Sequence, residues 1–178
     1  MSLKTPFGAF FLQGNPNTMF KRTEEQSPQR ALLTGQRLRS YAFALLTRRD
    51  YSKAELTEKL TRYAQNPEEV KRLVEELSEQ NYQSDQRVAE LTLASQIRKG
   101  KGPKRIKQAL KTKQIENDLI ADEIHNIDWV EQAYQLKVKK FGEEVEKDPK
   151  LKAKQMRFLQ YRGFDLDVIM KAIQRRVD

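Results

Sequence analysis

Residues 66–77 read NPEEVKRLVEEL. Asn66 has the short acceptor side chain of a helix N-cap, and Pro67 suits the first helical position, where its missing N–H is not needed. Glu68 and Glu69 place negative charge against the positive end of the helix dipole. Val70, Leu73, Val74 and Leu77 then recur at three- and four-residue spacing, which predicts one buried helical face. Leu56 and Leu60 mark a helix just before it.

Shifting the chain by fifty residues lays this pattern on a second copy of itself. Arg48 falls on Arg98, Leu56 on Ile106, Leu60 on Leu110, Val70 on Ile120, Val74 on Ile124 and Leu77 on Ile127. A further shift of forty-nine lays Leu110 on Leu159, Ile115 on Phe164, Ile120 on Ile169 and Ile124 on Ile173. The third copy needs about seven extra residues around EEVEKDP, after Phe141-Gly142. The expected fold is therefore all-α, with no strands: three tandem three-helix repeats, helix-turn-helix-like units, over 36–82, 83–127 and 128–178. One repeat buries too little surface to stand alone, so neighbours must stack, and an elongated, curved solenoid is expected. Ser84-Asp85, Asp128, Asp148-Pro149 and Asp165 read as further helix starts. Residues 1–35 carry Pro6, Gly8, Gly14, Pro16 and Pro28 and are expected to form a flexible arm, in which Phe7, Phe10, Phe11 and Phe20 offer docking side chains.

Composition narrows the function. Among 178 residues, 34 Lys and Arg stand against 25 Asp and Glu, a net charge of +9. Such an excess attracts polyanionic partners and speeds encounter with them. The absence of cysteine excludes disulfides, thiolate metal sites and cysteine nucleophiles. A single histidine, His125, leaves no histidine cluster for zinc. No apolar run approaches a membrane span, and FGAFFL (7–12) is too short for a secretory signal. A cytoplasmic monomer is expected.

The densest charge lies at residues 98–113, RKGKGPKRIKQALKTK, with eight basic residues and no acidic one. A nucleotide-hydrolase phosphate loop needs G-x-x-x-x-G-K and then Ser or Thr after a strand; GKGPKR has the wrong glycine spacing and no hydroxyl. Gly102-Pro103 instead reads as an N-cap and first helical residue. In the helix that follows, Ile106, Ala109 and Leu110 face the core, and Lys104, Lys107 and Lys111 form one stripe. Solvated helix faces mix charge signs, and this one does not, which favours a docking surface. The candidate contact residues are Arg98, Lys99, Lys101, Lys104, Arg105, Lys107 and Lys111, with Arg157 and Arg162 in the third repeat.

No catalytic constellation accompanies them. Glu75, Glu76 and Glu79 read as a solvated helix face, Asp165 and Asp167 as caps, His125 as a packed histidine, and Trp129 as core. Neither an enzyme nor a cofactor is expected.

RKGKGPKRIKQAL resembles the signature of the RecX family: a basic residue, G-x-G-P, a basic residue, Ile, three residues, Leu. Tyr82-Gln83-Ser84-Asp85 followed by Ala89 resembles that family's turn into its second repeat. FLQYRGFDLDVI (158–169), Ile127-Asp128-Trp129 and Lys140-Phe141-Gly142-Glu143 resemble the third repeat of its proteobacterial members. The resemblance spans about 36–178. It departs at Asn81 and Gln114, where the family has glycine, and at Val88, where an aromatic is common. Asn81 tolerates a left-handed helix end; Gln114 is less suited, so that end is expected to close differently.

The resemblance implies a regulator that lies in the groove of the RecA nucleoprotein filament and reduces strand exchange, ATP hydrolysis and repressor co-cleavage. Two alternatives stand beside it. One is a direct, largely non-specific DNA-binding protein, in which Lys104 and Arg105 would open a recognition helix. Lysine dominance there suggests phosphate contact over base reading, hence weak binding to single- or double-stranded DNA. The other is a scaffold for an acidic protein.

Overall fold

The structure is a computed structural model and describes residues 32–176. The expectations for the arm, including its four phenylalanines, fall outside these residues, apart from the last few positions before 36.

Nine α-helices follow one another among the described residues: α1 (Gly35–Arg48), α2 (Lys53–Thr61), α3 (Pro67–Glu79), α4 (Asp85–Arg98), α5 (Pro103–Thr112), α6 (Ala121–His125), α7 (Trp129–Phe141), α8 (Pro149–Arg162) and α9 (Leu166–Gln174). No strand accompanies them; one isolated bridge joins Leu33 to Ala64. The result is an all-α helical repeat.

Three apolar clusters hold it. Leu38, Leu56, Leu60, Val70 and Leu77 sit in the first, from α1–α3. Ile106, Leu110, Ile115, Ile120 and Ile124 sit in the second, from α4–α6. Leu159, Phe164, Ile169 and Ile173 sit in the third, from α7–α9. Every aliphatic or aromatic position matched by the fifty- and forty-nine-residue shifts is buried except Ile127, which packs half-buried on the second cluster. The register exists because each repeat must close its own core with the same side chains.

The caps explain where the helices begin. Asn66 accepts from the Glu68 N–H, Ser84 from Arg87, Asp128 from Glu131, and Asp148 from both Lys150 and Leu151. The third helix of the second repeat differs from expectation. At the positions of Asn66-Pro67 it carries Glu116-Asn117, and no side chain caps it; Asn117–Ile120 winds as a 3-10 turn before the short α6. Without an N-cap acceptor or a proline to fix the first turn, the tighter winding satisfies the early amides.

Helix ends also correct one expectation. Asn81 takes φ 61°, and Gln114 takes φ 55°. At Gln114 the Ile115 N–H donates to the Leu110 carbonyl at 3.1 Å, as the Tyr82 N–H donates to Leu77 at 2.9 Å. Both ends therefore close in the same left-handed way, and burial of Ile115 holds Gln114 in a conformation that a glycine would adopt freely.

Two further elements were not visible as such in the sequence. Lys137 is fully buried, and its ammonium donates to the carbonyls of Glu143 (2.8 Å) and Glu144 (2.7 Å). It thereby ties down the extra loop between α7 and α8. Burial pushes this amine below the usual lysine range, against the opposing pull of Glu143, Glu144 and Glu146. Trp129 packs half-buried against both the second and third clusters, and its indole N–H donates to the Ile124 carbonyl at 2.9 Å.

The first and second repeats meet through polar side chains. The Ser52 hydroxyl closes a capping box with Glu55 and also donates to the Lys113 carbonyl at 2.7 Å. The Lys113 ammonium pairs with Glu55 at 3.1 Å. Asp85 accepts the Lys53 N–H, and Arg87 pairs with Asp50 at 2.9 Å. Glu75 and Glu76, read as a solvated face, are partnered too: Lys53 binds the first and Arg39 the second. Tertiary folding brings those cations in from α1 and α2, beyond the reach of a helix-face argument. His125 is exposed at the end of α6, not packed, because its neighbours Ile124 and Ile127 turn inward without it.

Candidate functional site

The basic run leaves α4 at Arg98, turns through Gly100, and restarts as α5 on Gly102 and Pro103. Gly102 is the N-cap residue and contributes no side-chain bond. Ile106 and Leu110 point into the second cluster, fully buried, and fix the opposite face of α5 outward.

The nine candidate cations divide by environment. Arg98, Lys99, Lys107, Lys111 and Arg157 are exposed, Lys101 is half-buried, and the side chains of these six have no hydrogen-bonding or ionic partner among the described residues. Lys104 is exposed but pairs with Asp165 at 2.8 Å. The Arg105 guanidinium donates through Nε to the Tyr161 carbonyl at 3.0 Å and lies 4.9 Å from that tyrosine's ring centre. Arg162 reaches back to donate to the Lys99 carbonyl at 2.7 Å.

These three side chains belong to a joint between the second and third repeats. At its centre the Gly102 N–H donates to the Arg162 carbonyl at 2.8 Å, and the Lys104 N–H donates to the Gly163 carbonyl at 3.1 Å. A Cβ on Gly102 would stand 2.7 Å from the Gly163 carbonyl carbon and oxygen. A Cβ on Gly163 would stand 2.7 Å from the Arg105 Cγ and 2.8 Å from its backbone nitrogen. Gly163 also sits at φ 95°, where side chains are strained. The G-x-G-P motif thus lets two backbones touch.

This placement revises two readings. The run carries no acid of its own, yet Asp165 from the start of α9 supplies one to Lys104. Asp165 makes no capping hydrogen bond, because its carboxylate is turned to that lysine. Reversing Lys104 and Arg105 would therefore disturb the joint and not only the surface. The sequence also passed over Lys139 and Lys140, exposed near the end of α7; their only signal was a pair of cations in the last helical turn. Among the described residues no cluster of His, Asp or Glu suits a metal ion, and no helix is long and apolar enough to cross a membrane.

Comparison with known proteins agrees with the repeat structure. Residues 84–123 match the family described as "RecX, second three-helix domain", and residues 126–173 match "RecX, third three-helix domain". The chain is 68% identical to the regulatory protein RecX of Acinetobacter baylyi, over 88% of this chain and 97% of that one. It is 40% identical to the regulatory protein RecX of Legionella pneumophila, over 75% and 90%. A crystal structure of RecX from Lactobacillus salivarius superposes with a TM-score of 0.66 at 21% identity, over 77% of this chain and 92% of that one.

Proposed function

The chain belongs to the RecX family of regulatory proteins, and from that premise we propose that it binds the RecA–DNA filament and restrains RecA recombinase, ATPase and co-protease activities. The observation that carries this reading is the 68% identity to a regulatory protein RecX across nearly the whole of that protein. RecA itself enters through the family resemblance. The physical support is a helical repeat in which six of the nine candidate cations lack an internal partner among the described residues, which suits an anionic, grooved polymer. The three units, 36–82, 83–127 and 128–178, act together as a cytoplasmic monomer, with 1–35 as an arm.

The surface assigned to the filament carries Arg98, Lys99, Lys101, Lys107, Lys111 and Arg157, which are free of internal partners among the described residues, beside Lys104, Arg105 and Arg162, which also serve the joint. Contact with bare DNA is weak and sequence-independent, because scattered cations neutralise phosphates without reading bases.

The test is the ATPase of DNA-bound RecA with sub-stoichiometric amounts of this protein. Hydrolysis should fall, and reversing Lys101, Lys107 and Lys111 to Glu should raise the half-inhibiting concentration at least tenfold with an unchanged melting curve, a loss of about 1.4 kcal/mol or more. An unaltered ATPase with wild-type protein would remove RecA from the reading. Strong preference for one duplex sequence at physiological salt would put the direct DNA-binding alternative in its place.

A further inference from the structure

A groove opens beside the glycine joint. The ends of α4 and α8 and one side of α7, from Gln132 to Lys140, border this open groove of about 550 Å³. Its cations are Arg98 and Lys99 from the second repeat and Lys139, Lys140 and Arg162 from the third, with Phe158 among the lining side chains. No carboxylate lines it.

Cations at helix C-termini have an ordinary explanation, since they offset the negative end of the dipole. Magnitude decides against that as the whole account. Three C-termini carry about −0.5 charge each, about −1.5 together, against five full positive charges. Two of the five are engaged internally: Arg162 donates to the Lys99 carbonyl at 2.7 Å, and Lys140 lies 4.3 Å from the Phe158 ring centre. Arg98, Lys99 and Lys139 have no partner among the described residues, so a positive excess remains in a concave site.

We propose that this groove seats the sugar–phosphate backbone of a single nucleic-acid strand. The lysines and Arg98 meet phosphates, and Leu136 and Ile97, beside the Phe158 ring that Lys140 already covers, meet sugar and base atoms. A duplex offers a wide rigid ridge with its bases turned inward, whereas a single strand exposes sugar and base atoms beside each phosphate. The two walls come from different repeats, and the Gly102–Gly163 contact fixes their separation. The site is therefore organised before the strand arrives, which lowers the ordering cost of binding. This deepens the polyanion reading above and rests on it, but not on the identity of RecA.

The test omits RecA. Fluorescence anisotropy of a labelled oligo(dT) measures affinity for the wild type, for the groove triple Arg98→Gln, Lys99→Gln, Lys139→Gln, and for a charge-matched triple in the first repeat, Arg37→Gln, Lys59→Gln, Arg72→Gln. All six side chains are exposed, and a melting curve checks each protein. The groove triple should lose at least tenfold and flatten the logarithmic salt slope by about 2, while the first-repeat triple loses under threefold. The single variant Lys139→Gln repeats the test with the smallest perturbation and should lose about two- to threefold. Equal losses in both triples would reduce the binding to net charge; the groove inference would then fall while the polyanion reading stands. No loss in the groove triple, or tighter binding of a duplex or of polyglutamate than of oligo(dT), overturns it as well. None of these outcomes alters the RecA ATPase test, so the two readings fail separately.

Discussion

Between the first and second repeats the Ser52 hydroxyl donates to the Lys113 carbonyl; between the second and third, the Gly102 N–H donates to the Arg162 carbonyl. The fifty-residue shift carries Ser52 onto Gly102, and the forty-nine-residue shift carries Lys113 onto Arg162. The same two positions thus meet at both joints. At the first, side chains hold the backbones apart and bridge the gap, with Glu55 and Lys113 beside them. At the second, two glycines remove the side chains and the backbones touch directly. A repeat fold fixes which positions meet, while the residues placed there decide how closely and by what chemistry.

The widest separation between the joints comes from adding one methyl group. Gly163→Ala brings left-handed strain of about 1–3 kcal/mol and overpacking against Arg105 of a similar size. A loss of about 2–6 kcal/mol is expected in urea unfolding followed by Trp129, the only tryptophan, which touches the clusters on both sides of this joint. Gly102→Ala should follow closely, because its Cβ meets backbone atoms that cannot rotate aside. Unfolding curves that overlay the wild type would mean that the close approach does not hold the repeats together.

At the first joint, Ser52→Ala removes the cap of α2 and the donor to Lys113 together. About 1–2 kcal/mol is expected, less than at the glycines, since no collision results. A larger loss than that of Gly163→Ala would reverse the ranking of the two joints.

Acid should find the first joint too. Burial alone would raise the Glu55 carboxyl, but the Ser52 N–H and the Lys113 ammonium outweigh it and hold the group below the usual carboxylate range. A depressed folded-state value gives stability that is present above the unfolded-state value, near pH 4, and lost as pH falls through the folded one. Melting temperatures between pH 7 and pH 3 should therefore fall less for Glu55→Gln than for wild type. Parallel curves would show that Glu55 does not contribute to the acid limb.

The smallest effect belongs to the exposed Lys104–Asp165 pair. Lys104→Gln should cost under about 1 kcal/mol, because water screens the charges and both side chains lose freedom on pairing. A cost near that of Gly102→Ala, in the same unfolding measurement, would show that the pair and not the backbone contact holds the second joint.

Much of this was legible in the sequence. Asn66, Ser84, Asp128 and Asp148 announced their helices because capping is a local bond within three residues. Leu56, Ile106 and their echoes announced the repeats because each unit buries the same face. The candidate site was legible only in part. Its cations could be counted, but Lys107 with no internal partner and Lys104 with Asp165 look alike along the chain. Gln114 was misread, and the partners of the solvated Glu75 and Glu76 stayed out of view, because those constraints and partners lie outside the local stretch.

The sequence by itself determined most helix starts, the repeat register and the residues of the cores, since these follow from local bonding and from a periodicity that recurs along 36–178. Only the tertiary structure decided that Lys137 ends buried under a loop, that Asp165 turns from cap to ion pair, and that Gly102 meets Gly163 sixty-one residues away. Such contacts depend on the distance and angle between packed units. Those are set by the sum of many side-chain volumes, and no single stretch of the chain carries that sum.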